Sequence, residues 1–107
     1  MEEIELQCFQ IISNAGMARS AFIESIQKAD DGDFESAERE IKEGEKSFLE
    51  AHKAHSKLIQ HDAEKGVSIN MLLLHAEDQL MSSEGFKIIA EKLIKAYRRI
   101  HALEKNI

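Results

Sequence analysis

The sequence predicts an all-α fold, an antiparallel three-helix bundle. The chain has no proline and only five glycines, so little in it interrupts a helix. Apolar residues recur at alternating three- and four-residue spacings, the seam of a helical bundle, and no segment alternates as a strand would. Asp30-Asp31-Gly32-Asp33 and Lys65-Gly66 are the breaks between helices. Helices joined by such short connections must run up, down, up.

The first helix is expected from about Glu2 to Ala29. Its stripe is Ile4, Cys8, Ile11, Ala15, Ala18, Phe22, Ser25 and Ala29, widened by Ile12 and Ile26. Gly16 lowers helix propensity by about 1 kcal/mol relative to alanine, and its expected use is close approach by a neighbouring helix or a ligand. Gly32 then takes a positive φ, Asp33 caps the next helix, and Glu35 suits its dipole.

The second helix is expected from Phe34 to about Glu64, with the stripe Phe34, Ala37, Ile41, Gly44, Phe48, Ala51, His55 and Leu58. The third is expected from about Ile69, capped by Ser68, to near Leu103. Ile69, Leu73, Ala76 and Leu80 face its own core, followed by Phe86, Ala90, Leu93, Tyr97 and Ile100. A second stripe on this helix runs Met71, Leu74, Asp78, Met81 and Gly85. One helix in a small monomer cannot bury two apolar stripes, so the second is expected to meet another copy of the chain. Asp78 interrupts that seam, where a carboxylate is costly unless paired or bound to a metal.

The 107 residues suit one domain spanning the whole chain, 1–107, and a hydrophobic content of 43% with 32% charged residues suits a globular one. A chain of this size buries only about two-thirds of its unfolded surface, so oligomerisation is a natural supplement. A net charge of −6 argues against non-specific binding to nucleic acid or anionic membranes and suits a basic protein partner. No run approaches a membrane span, so no direct membrane insertion is expected. The acidic Met1-Glu2-Glu3 start does not resemble a signal peptide, and the lone Cys8 fits a reducing compartment. The expected localisation is cytoplasmic.

Five histidines bear on chemistry. His101 near the end of the third helix reads as a surface residue suiting the dipole, and His61 as solvated. His52 and His55 have a spacing that can hold a metal, though one core-edge and one exposed histidine is the plainer reading. His75 lies one turn from Asp78 and Gln79. It is either a half-buried histidine bonded to a neighbour or a nucleophile, since neutral imidazole attacks phosphorus readily and Asp78 can help orient it. The sequence carries no P-loop, glycine-rich nucleotide loop or Ser-His-Asp arrangement, so no nucleotide cofactor is expected. A nucleophile without a nucleotide site points to a phosphocarrier that receives its phosphoryl group from another protein. If copies meet around an axis through the seam, several Asp78 carboxylates converge and recruit a hard divalent cation, Mg²⁺ first among them.

Four segments, in order, carry a family resemblance: Ile12-Ser13-Asn14-Ala15-Gly16-Met17-Ala18-Arg19-Ser20; Gly32-Asp33-Phe34-Glu35-Ser36-Ala37; Glu50-Ala51-His52 followed by Leu58-Ile59; and His75-Ala76-Glu77-Asp78-Gln79-Leu80-Met81, with Tyr97 beyond. Together they resemble the lactose/cellobiose family of enzyme IIA of the bacterial phosphoenolpyruvate-dependent sugar phosphotransferase system. The resemblance covers almost the whole chain. It implies a homotrimer of three-helix bundles, with His75 taking a phosphoryl group from phospho-HPr and passing it to an enzyme IIB. Uptake of a β-glucoside-type disaccharide of the cellobiose, lactose or chitobiose class would follow. It also implies that three Asp78 carboxylates meet on the trimer axis around a metal ion.

Four positions depart from the family pattern: Met17 for aspartate, His55 for glutamine, Glu77 for glutamine and Gln79 for histidine. Glu77 adds negative charge near the site if it faces it, but two residues from His75 it points largely away unless it meets a neighbouring chain. Two other readings of the chain stay open. One is a non-catalytic oligomerisation or regulatory paralogue with His75 and Asp78 as a polar registry device. The other is a metal-storage or sensing bundle using His52, His55 and Asp78.

Overall fold

The computed structural model describes residues 2–107. It contains α1 (Glu3–Asp30), α2 (Phe34–Lys65) and α3 (Met71–Lys105), and no strand among the described residues. Short connections fold them antiparallel into a rod of 62 × 19 × 17 Å. The helix α1 packs against both others far more extensively than α2 and α3 pack against each other.

The predicted stripe on α1 is the core. Cys8, Ile11, Ala15, Ala18, Phe22, Ser25 and Ala29 are all buried, while Ile4 is half-buried. Gln7 joins them, its Oε1 buried without a hydrogen-bond partner among the described residues. One cluster sets Cys8, Ile11 and Ala15 against Ala51, Ala54, Leu58, Ala76 and Leu80. The other sets Ala18, Phe22 and Ala29 against Ala37, Ile41, Ala90 and Ile94. So many alanines let the backbones approach closely, and Gly44 is the extreme case: a Cβ there would lie 2.8 Å from Phe22 Cδ1. Late in α3 the core line is carried by Ala90 and Ile94, with Leu93 half-buried and Ile100 exposed.

The α1–α2 turn forms as expected. Gly32 sits at φ 84°, and Asp33 accepts the backbone N–H of Ser36 at 3.1 Å. The hydrogen bonds from the Ser36 hydroxyl and backbone hold the Asp33 carboxyl below its ordinary range. His101 is not the plain surface residue the sequence suggests. It is half-buried and its Nε2–H donates to the Asp30 carbonyl at 2.8 Å. Its ring meets Phe34 edge-on, with centroids 5.6 Å apart, and backs onto Gly32. Arg98 covers Phe34 at 4.6 Å, so the end of α3 clasps the turn between the other two helices.

Candidate functional site

The start of α3 differs from expectation. The helix begins at Met71, not Ile69, and Asn70 rather than Ser68 caps it: its Oδ1 accepts the Leu73 N–H at 2.9 Å. Asn70 has the extended backbone of an N-cap, φ −145° and ψ 177°, and its side chain satisfies an otherwise orphan donor of the first turn. Ile69 stays outside the helix and exposed.

This cap places His75 early in α3, on a surface that faces away from α1 and α2. The core side of the segment is Ala76 and Leu80, both buried, with Leu72 and Leu73 partly so. The outer side is Met71, Leu74, His75, Asp78 and Met81, all exposed, with Met71 at 80%. His75 is therefore not a half-buried structural histidine, and no hydrogen bond joins it to Asp78 among the described residues. Its imidazole nitrogens are open to an incoming group. The second stripe read from the sequence lies uncovered in the single chain. Gln79 is half-buried.

Gly16 does not serve a close approach within the chain. Apart from its own helix backbone, nothing among the described residues lies within 4 Å of the position a Cβ would take there. It lines a shallow depression on the outer face of α1 with Ile12, Ser13, Met17 and Ser20. Among the described residues, no group of three or more histidine, cysteine, aspartate or glutamate side chains is arranged to hold a metal ion within one chain.

Sequence reasoning missed one contact. His55 and Glu77, two positions that depart from the family pattern, face each other across α2 and α3. The His55 Nε2–H donates to Glu77 Oε1 at 2.7 Å, part-buried. Their spacing in sequence carried no signal, because only the packed fold brings the helices together. The same carboxylate influences Cys8 on α1, whose thiol is pushed up by burial first and then by Glu77 and Glu5. The Glu77 side chain therefore turns towards the other two helices. His52 is exposed beside His55, their ring centroids 6.5 Å apart, which matches the plainer of the two readings for that pair.

No described helix is long and apolar enough to cross a membrane. Comparison with known proteins gives a consistent result. The profile of the family described as "PTS system, Lactose/Cellobiose specific IIA subunit" matches residues 6–98. The lactose-specific EIIA component of Staphylococcus aureus (strain N315) is 34% identical over 99 residues, covering 92% of this chain and 96% of that one. The lichenan-specific phosphotransferase enzyme IIA component of Bacillus subtilis (strain 168) is 36% identical over 101 residues, covering 92% and 91%. Among solved structures, the cellobiose-specific enzyme IIA of Bacillus anthracis superposes with a TM-score of 0.91 at 34% identity, covering 95% of this chain and 94% of that one. The IIA(chitobiose) protein of Escherichia coli, solved in complex with HPr, superposes with a TM-score of 0.81 at 30% identity, covering 94% and 99%. With the helical bundle, an open histidine on α3 and matches spanning nearly the whole sequence, this chain belongs to the lactose/cellobiose-specific IIA family of the sugar phosphotransferase system.

Proposed function

We propose that this protein is a phosphocarrier of the phosphoenolpyruvate-dependent sugar phosphotransferase system, acting through His75. The observation that carries the reading is the exposed imidazole of His75, without a hydrogen-bond partner among the described residues, on a family member. HPr is the donor, in keeping with the related protein solved with HPr. An imidazole nitrogen of His75 attacks phosphorus in line. The N–P bond forms as the bond from phosphorus to the donor breaks, and that electron pair stays with the donor. Transfer to enzyme IIB repeats the displacement with His75 as the leaving group. Positioning and charge stabilisation carry most of such a transfer, so no acid–base residue is required beside His75. The sugar is a β-glucoside-type disaccharide of the cellobiose, lactose or chitobiose class, chosen by the IIB and membrane partners.

The active assembly is a homotrimer. Support comes from the uncovered face of Met71, Leu74, Asp78 and Met81, an apolar seam interrupted by one carboxylate. Around a three-fold axis three Asp78 carboxylates would offer hard oxygen ligands, a donor set that fits Mg²⁺ or a similar divalent cation. Such an ion offsets the mutual repulsion of the carboxylates.

The test is intact mass after incubation with phosphoenolpyruvate, enzyme I and HPr. Wild type should gain one acid-labile, base-stable phosphoryl group, and H75A should gain none while keeping its helical content. A phosphoryl group on H75A overturns the assignment of His75. None on wild type, with HPr phosphorylated, overturns the phosphocarrier reading in favour of a helical oligomerisation module.

A further inference from the structure

We propose that His55 and Glu77 form a positioning strut that sets the roll of α3 at the turn bearing His75. The proposal rests on the reading of His75 as phosphoryl acceptor.

The seam between α2 and α3 is the thinnest interface in the bundle, because α1 fills the space they would share. Three polar side-chain contacts cross it among the described residues: Glu38–Arg98 at 3.4 Å, Glu45–Lys87 at 3.8 Å and His55–Glu77 at 2.7 Å. The first two are long and largely exposed, and pairs of that kind constrain little. His55–Glu77 is short, and the His55 side chain is only 19% exposed. It is also the one at the His75 end: Lys87 and Arg98 lie further along α3 from His75 by about 18 and 34 Å at 1.5 Å per residue.

Glu77 follows His75 by two residues, about 200° around the helix. The strut therefore grips α3 on nearly the opposite side from the reactive imidazole. The packing beneath this turn is Ala76, whose methyl is a weak rotational key, with Leu72 and Leu73 partly buried just before it and Leu80 one turn on. A roll of about 10° moves an atom about 6 Å from the helix axis by about 1 Å. Displacements of that size cost a group-transfer step up to about a hundredfold. The strut has a second effect: it keeps the Glu77 carboxylate against α2, away from the face on which a dianionic phosphoryl group would sit.

Four variants in the otherwise unaltered protein test this: H55A, E77A, H55A/E77A and H55Q, whose amide N–H can donate to the same carboxylate oxygen. Two readouts are taken: single-turnover transfer from saturating phospho-HPr, and amide hydrogen exchange over residues 71–81. H55A and E77A should each slow transfer about fivefold or more. The double variant should be no slower than the slower single, since one contact is lost in all three. H55Q should stay within about twofold of wild type. Exchange over 71–81 should rise in H55A and E77A but not in H55Q. Transfer by H55A at the wild-type rate, single effects that multiply in the double variant, or H55Q as slow as H55A would each overturn the strut. If wild type accepts no phosphoryl group, the phosphocarrier reading fails separately. The strut is then decided by exchange alone, and unchanged exchange in H55A refutes it.

Discussion

Glycine has opposite meanings at two positions of this bundle. At Gly44 a methyl group would drive into the Phe22 ring, which is fully buried and cannot swing aside. Overpacking of this kind costs about 1–3 kcal/mol, against about 1 kcal/mol gained in helix propensity. G44A should therefore lower stability in urea denaturation by up to about 2 kcal/mol. At Gly16 no atom stands in the way, so G16A should raise the stability of the dissociated chain by about 0.5–1 kcal/mol. The sequence set Gly44 in the seam of its helix and suggested a close approach by a helix or a ligand at Gly16, but could not show how far the two differ. The difference lies in which neighbour supplies a ring, and a ring from another helix leaves no trace in local spacing. Gln7, outside the stripe read from the sequence, is buried as well.

At the scale of the helix, the start of α3 is the element that presents the site. Asn70 holds the first turn through Leu73 N–H, five residues before His75. N70A should cost about 1 kcal/mol and increase fraying over the turn before His75, read as faster amide exchange in Met71–Leu74. The three helices were legible because their stripes are long and keep one period. The α1 stripe from Cys8 to Ala29 is buried residue for residue. The α1–α2 turn was legible as well, since Gly32 and Asp33 leave few alternatives. The α2–α3 connection was not: Ser68 and Asn70 can both cap a helix, and the choice fell to the asparagine, whose side chain accepts the Leu73 N–H. His75 was legible as a candidate, but its exposure was not, because periodicity left it between two stripes. The His55–Glu77 contact was invisible for the same reason that makes it informative: it joins residues brought together only by the bundle.

The whole molecule leaves a long face of α3 uncovered, with Met71, Leu74 and Met81 exposed around Asp78. In the trimer proposed above, D78L should turn this into a continuous apolar seam. Size-exclusion chromatography with light scattering should find the D78L trimer intact in chelator and more resistant to dissociation than wild type. A monomeric D78L would refute the axial placement. The rod also has two unlike ends. His75 stands near one, His101 pins α3 to the α1–α2 turn at the other, and one continuous helix joins them. The thirty residues from His75 to Lys105 extend about 45 Å at 1.5 Å per residue. A biotin or fluorophore attached beyond Lys105 would ride that far from the imidazole. Protein tethered to a sensor chip by that end should meet partners in the liquid with its reactive tip outward.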